Sequence, residues 1–395
     1  MLNTQFSPWP SFTDEEANAI QRVLLSNKVN YWTGQECREF EREFAEWTGA
    51  RYAVALANGT LALDLALKVL EVGTGDDVIV TPRTFLASVS TVVTAGSNPI
   101  FADVDLNSQN ITAESIEAVL TPKTKAVIVV HLAGMPADMD PIMELSAKHG
   151  FYVIEDCAQA HGARYKGRSV GTIGQVGTWS FCQDKIMTTG GEGGMVTTND
   201  AKLWSQMWSY KDHGKSFDSV YKKEHPAGFC WVHDSFGTNW RMMEIQAVIG
   251  RIQLKRMSSW AQARRSNAAK LDDAVKDIQL IRRVTVPSDL VHAEYKHYFF
   301  VQPEHFSSGW NRDRMIEEIN KRGVPCYQGS CSEVYLEKAF DDTPWRPTER
   351  LPNAKVLGET SLMMLVHPTL IESEIDKSAQ VLRDVAYLAT FSSRG

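Results

Sequence analysis

The stretch "YAVALANGTLALDLALKVLE", residues 52–71, decides the fold. It opens on an apolar run of strand length. Asn58-Gly59-Thr60 breaks that run, and "LALDLALKVLE" then follows a helical pattern. A strand, a tight turn and a helix in immediate succession mark a unit whose next strand runs parallel to the first. The same alternation recurs downstream. The runs "DVIVTP", "PIFADV", "AVIVVHL", "FYVIEDC", "GTWSFC" and "GMVTTN" are rich in Val and Ile and are bounded by Gly, Pro, Asn or Asp. Helical segments such as "TFLASVSTVVTAG" and "DMDPIMELSAKHG" intervene. The pattern predicts an α/β fold with a central, mostly parallel, seven-stranded mixed sheet covered on both faces. Ligands of such sheets gather at the carboxyl ends of the strands.

Toward the N-terminus, "TDEEANAIQRVLLS" carries Thr13 as a helix cap with Glu16 three residues on, a capping-box pattern. From about Met242 to Asp277 runs a long helical pattern that can connect two domains. Beyond it, "YKHYFFVQP" reads as a strand, and "DRMIEEINKRG" and "IESEIDKSAQVLRDVAYLA" read as helices. The expected division is a large domain over residues 1–250 and a smaller C-terminal α+β domain over 251–395 that includes the connecting helix.

Composition narrows the function classes. The chain has 395 residues, 43% of them hydrophobic, which supports a sizeable core. Lys and Arg total 41 against 48 Asp and Glu, a net charge of −7, so neither nucleic acid nor an anionic membrane surface is expected as the main partner. No apolar run approaches the roughly 18 residues of a membrane span, and the N-terminal stretch lacks the pattern of a secretory leader. The six cysteines are scattered without a CxxC pair. That fits reduced thiols and a cytoplasmic protein. No His/Cys spacing suits zinc and no second carboxylate suits Mg²⁺, so no metal is expected.

Four features sit at predicted element ends. Asn58-Gly59-Thr60 opens a helix, and the N–H groups of such a turn suit a phosphate; an ordinary capped turn has the same residues. Asp156 follows the buried run "FYVIE", where its carboxylate can hold a proton on a heteroaromatic nitrogen or cap the next turn. Gln159 and His161 lie within reach of the same crevice. Lys185 follows "GTWSF", with Ser180 inside that strand. A lysine so placed forms a Schiff base with a carbonyl when its pKa is depressed, although solvated lysines are commoner. The glycines of "GGEGG" lack the ending of a P-loop and suit a hairpin turn. Asn239 and Arg241 precede the long helix, which they could also cap. Together, a phosphate turn, a ring-nitrogen acid and a Schiff-base lysine are the equipment for pyridoxal 5′-phosphate (PLP).

At this point the chain resembles the DegT/DnrJ/EryC1/StrS family of sugar aminotransferases, of aspartate-aminotransferase fold type I. The segments that carry the likeness are "NGTLALDLAL", "TPRTFLASVSTVV", "HLAGMPADMDPI", "VIEDCAQAHGARYKGR", "GTWSF" with Lys185, "TTGGEGGMVTTND" and "NWRMMEIQAVIGRIQL". The resemblance implies that Lys185 carries the cofactor as a Schiff base and that Asp156 pairs with the pyridine nitrogen. It places Gln159 at the ring hydroxyl, Phe85 on the ring face, and Gly59, Thr60 and Ser180 on the phosphate. Asn239 would reach the phosphate of a neighbouring subunit, which implies a homodimer with shared active sites. "CQD" before Lys185 and Asn58 departs from the commoner family residues without removing a reacting group. Family members that dehydrate carry His at the lysine position, so Lys185 favours transamination. L-glutamate is the implied donor, leaving 2-oxoglutarate, and a keto or aldehyde sugar the acceptor. The overall pattern, including residues 211–239 and "CYQGSCSEVY", looks most like transaminases that aminate C8 of 3-deoxy-octulosonate for lipopolysaccharide. A nucleotide-linked 3-keto or 4-keto hexose is the alternative, and a non-enzymatic PLP-binding regulator the distant one. Arg164, Lys215 and His225 are the candidates for sugar or carboxylate contacts.

Overall fold

The computed structural model describes residues 6–390; the first residues of the stretch judged for a leader lie outside them. All seven apolar runs become strands of one sheet. They are β1 (Tyr52–Leu56), β2 (Asp77–Val80), β3 (Asn98–Phe101), β4 (Thr124–Val130), β5 (Tyr152–Asp156), β6 (Val176–Ser180) and β7 (Gly194–Thr198). Their order across the sheet is β1-β7-β6-β5-β4-β2-β3. β2 pairs in parallel with β3 and β4, β4 with β5, and β5 with β6, while β7 runs antiparallel to both its neighbours. Every residue of β2, β6 and β7 is buried, as expected of strands covered on both faces. Because β1 to β6 share one direction, their carboxyl ends line a single edge.

The flanking elements follow from local sequence. Asn58 stays extended and its side chain accepts from the Leu61 N–H at 2.9 Å, which starts the helix Gly59–Val69. Thr13 and Glu16 form the expected capping box at the head of Asp14–Leu25. The long helix runs Glu244–Val275, and it packs against Asp14–Leu25, Glu36–Thr48 and the last helix, Glu372–Thr390. Asn239 and Arg241 do not cap it. Met243 precedes its first residue, and the Met243 N–H donates to Gln246 Oε1 at 2.9 Å. Arg241 instead forms an ion pair with the buried Asp212.

A second sheet is antiparallel throughout, in the order Ile281–Arg283, His297–Val301, Ser361–Met364, Cys326–Tyr327. Its own cluster of buried residues includes Leu271, Phe299, Ile319 and Leu382. Among the described residues no helix is long and apolar enough to cross a membrane, and all six cysteines are unpaired.

Glu155 is the charged residue on which the middle of the large sheet depends. It is fully buried on β5. It meets His131 Nε2 at 3.0 Å and accepts from the N–H groups of Gly171, Ile173 and Gly174, each at 2.7 Å. Burial pushes its carboxyl up, but the hydrogen bonds from His131 and from the backbone N–H groups outweigh burial and hold it below the usual carboxylate range. His131, Glu155 and Cys157 bring ligand atoms together. His131 Nδ1 already accepts from the Ala137 N–H at 3.0 Å, so the group serves as a structural network. Glu155→Ala leaves several buried donors without an acceptor and should cost about 3–5 kcal/mol in urea unfolding. A lowered folded-state pKa adds stability above the unfolded pKa. The parent's advantage over the variant should therefore shrink as pH falls below the carboxylate range.

Candidate active site

The carboxyl ends of the parallel strands open into a cleft of about 970 Å³. The large sheet contributes Asn58, Gly59 and Thr60 after β1, Thr84, Phe85 and Ser88 after β2, Asp156 and Gln159 at the end of β5, and Ser180 at the end of β6. The second sheet closes the other side. Tyr295 and Lys296 immediately precede His297–Val301, and Gly329, Ser330 and Cys331 follow Cys326–Tyr327.

Asp156 is the last residue of β5 rather than the residue after it. Its Oδ2 accepts from the Ser88 hydroxyl at 2.8 Å and its Oδ1 from the Ala158 N–H at 3.1 Å. Thr84 Oγ1 lies 2.8 Å from Ser88 Oγ and extends the network. Gln159 Oε1 accepts from the Ala133 N–H at 2.7 Å, which fixes the amide and leaves its NH₂ group for the cleft. Phe85 is 71% exposed, an unusual position for a phenyl ring unless a flat ligand covers it. The first N–H groups of the Gly59–Val69 helix have no acceptor within that helix.

Lys185 lies in the loop 181–193 between β6 and β7, strands that pair from Ser180↔Gly194 onward. Gly190 and Gly191 have φ of +88° and +128°, so the doubling back needs glycine there. The loop is pinned from two directions. Trp9 Nε1 donates to the Lys185 carbonyl at 2.9 Å, and the Tyr295 hydroxyl donates to Asp184. The Lys185 amine stands 5.3 Å from the centre of the Tyr295 ring.

Other expected positions lie elsewhere. His161 is buried outside the cleft, its ring against Trp179 and Phe181, and burial pushes its imidazole down to about 3. Arg164 is exposed on a short strand and donates to the Gly167 carbonyl at 3.0 Å. Lys215 lies 3.8 Å over the Trp32 ring and 3.3 Å from Asp212 Oδ1. His225 Nε2 faces the Ser219 carbonyl. None of the three lines this chain's cleft. Asn239 is exposed and does not line it either. The sequence reading missed Trp9, Ser88, Asp184, Tyr295 and Lys296. Ser88 alone carried a signal, since it follows Thr84 by one helical turn in "TFLAS".

The profile of the DegT/DnrJ/EryC1/StrS aminotransferase family matches residues 10–383. GDP-perosamine synthase of Caulobacter vibrioides is 36% identical over 353 residues, 88% of this chain and 89% of that protein. The UDP-N-acetyl-3-dehydro-alpha-D-glucosamine 3-aminotransferase of Acidithiobacillus ferrooxidans is 35% identical over 97% of this chain and 96% of its own length. The crystal structure of an aminotransferase from Psychrobacter cryohalolentis superposes with a TM-score of 0.96 at 61% identity, covering 97% of this chain and 99% of that one.

Proposed function

The chain belongs to the DegT/DnrJ/EryC1/StrS aminotransferase family, and from that premise we propose how its residues carry out amino transfer and on which sugar. It is a PLP-dependent sugar aminotransferase of fold type I. One observation tests whether the residues present fit the cofactor. A Cβ at Gly59 would stand 2.6 Å from Ser180 Cβ and 3.0 Å from Ser180 Oγ. The helix N-terminus and the serine hydroxyl thus form a cradle that only glycine leaves open, and the residues fit a phosphate there.

Gly59 and Thr60 amides and the Ser180 hydroxyl would hold the phosphate, Phe85 the ring face, Gln159 the ring hydroxyl and Lys185 the reactive carbon. Bound there, PLP supplies an electron-accepting ring and the carbon that carries an amino group between substrates. Asp156, fixed by Ser88 and the Ala158 N–H, would keep the proton on the ring nitrogen. Lys185, released by the donor amine, would take the donor's α-proton as a base and return it as an acid. The assembly of Gly59, Asp156, Ser180 and Lys185 in one cleft is the observation that carries this reading.

The donor we assign is L-glutamate, leaving 2-oxoglutarate. The acceptor is the 8-aldehyde of 3-deoxy-octulosonate, giving 8-amino-3,8-dideoxy-D-manno-octulosonate. In support, the segment "CYQGSCSEVY" that carries that likeness supplies Gly329, Ser330, Cys331 and Val334 to the cleft. The names of two relatives favour the second reading, a nucleotide-linked keto hexose. Single-turnover amination by the pyridoxamine phosphate-loaded protein decides between them. Reaction with nucleotide-linked hexoses but not with the octulosonate aldehyde would exclude the first.

A second copy of the chain completes the site in this reading. Phe229, Trp231 and Phe236 are 75%, 85% and 99% exposed on the segment that leads to Asn239. An aromatic cluster that open suits an interface. Sedimentation should give twice the chain mass of 44.2 kDa. Paired Trp231→Glu and Phe236→Glu substitutions should yield monomers with little activity. A parent that sediments as a monomer would remove the shared site.

A further inference from the structure

The cleft's charges are unbalanced in a way that matters for substrates. Its acidic and basic lining residues are Asp156, Asp184, Glu192, Glu337, Lys185 and Lys296. Any amino-acid donor brings at least one carboxylate into this mostly acidic space. Lys185 is committed to the cofactor in the reading above, on which this argument rests. That leaves Lys296 as the remaining side-chain cation lining the cleft among the described residues.

Lys296 is partly buried, and its amine lies 4.9 Å from the centre of the same Tyr295 ring that Lys185 approaches at 5.3 Å. Among the described residues no carboxylate forms an ion pair or hydrogen bond with that amine. Asp184, its acidic neighbour, is taken up by the Tyr295 hydroxyl. A cation held near the reacting amine without a partner is costly unless a ligand supplies the opposite charge. It immediately precedes a strand of the second sheet, whereas Gly59, Thr60 and Ser180 of the phosphate cradle belong to the large sheet. We propose that Lys296 is the receptor for a substrate carboxylate, borne by the amino donor or by a sugar acid.

The charge on Lys296 is tunable near neutral pH. Burial, with the Arg264 and Lys185 charges, lowers its ammonium to about 8, against the opposing pull of Asp184. Tyr295 and His367 are the other titratable groups that face it. Below that value the ammonium is present to bind a carboxylate, and as pH rises through it the partner is lost.

The test is calorimetric titration of the PLP-loaded protein with two unreactive acids, glutarate for the donor and gluconate for a sugar acid. Lys296→Met should weaken one or both about tenfold or more, and Lys296→Arg should restore most of it. Loss confined to glutarate assigns the site to the donor, and loss confined to gluconate assigns it to the sugar. In the parent, affinity should fall as pH rises and the Lys296 ammonium, which burial lowers, loses its proton, while the Met variant stays flat. The parent's pH profile decides alone if the Met variant does not fold. Binding of both acids within twofold of the parent overturns the proposal, as does no binding to the parent or a flat parent profile. Neither acid reacts, so a wrong sugar assignment leaves this result readable.

Discussion

Lys185→Ala should lower amino transfer by roughly 10⁴-fold while the protein remains folded. The size follows if Lys185 is, as proposed, both the cofactor's covalent anchor and the group that moves the α-proton. Folding should survive because the loop is held through main-chain atoms and neighbours. The Lys185 carbonyl accepts from Trp9, its N–H donates to the Cys182 carbonyl at 3.1 Å, and Asp184 is tied to Tyr295. The measurement is a single-turnover rate with glutamate, with circular dichroism as the folding control. Added methylamine should restore a small part of the rate by supplying the missing base. A variant within tenfold of the parent would show that another group moves the proton.

Asp156→Asn should cost roughly 10³-fold in kcat. The amide keeps the shape and one oxygen acceptor, so the Ser88 or Ala158 hydrogen bond can persist. What it loses is the negative charge that stabilises a proton on the ring nitrogen. The loss should fall on kcat much more than on the KM for glutamate, because in the proposed arrangement the carboxylate would face the ring and not the donor. A variant with normal kcat and raised KM would move Asp156 out of the reaction and into substrate binding.

The large sheet was legible because its strands are continuous Val- and Ile-rich runs closed by breakers, the signature of burial on both faces. Once that topology is known, Gly59, Asp156 and Ser180 must meet, since each sits at the carboxyl end of a co-directional strand. Tyr295 and Lys296 were not legible. They arrive from a second sheet, and no local pattern in "AEYKHYFF" encodes which sheet edge will face the first. His161 shows the opposite error. It follows Gln159 closely in sequence, yet the chain turns there and lays the ring between Trp179 and Phe181. Lys215 and His225 are expected near a site because their segment leads to Asn239 and carries cationic side chains. Charge does not reveal partners, and Lys215 is already engaged by Asp212 and Trp32.

The cofactor attachment proposed at Lys185 lies in a cleft that also holds a second amine, Lys296. Borohydride reduction of the PLP-loaded protein followed by peptide mass spectrometry tests this directly. A single pyridoxyl adduct is expected, on the peptide that contains Lys185. An adduct on Lys296, or none on Lys185, would contradict it.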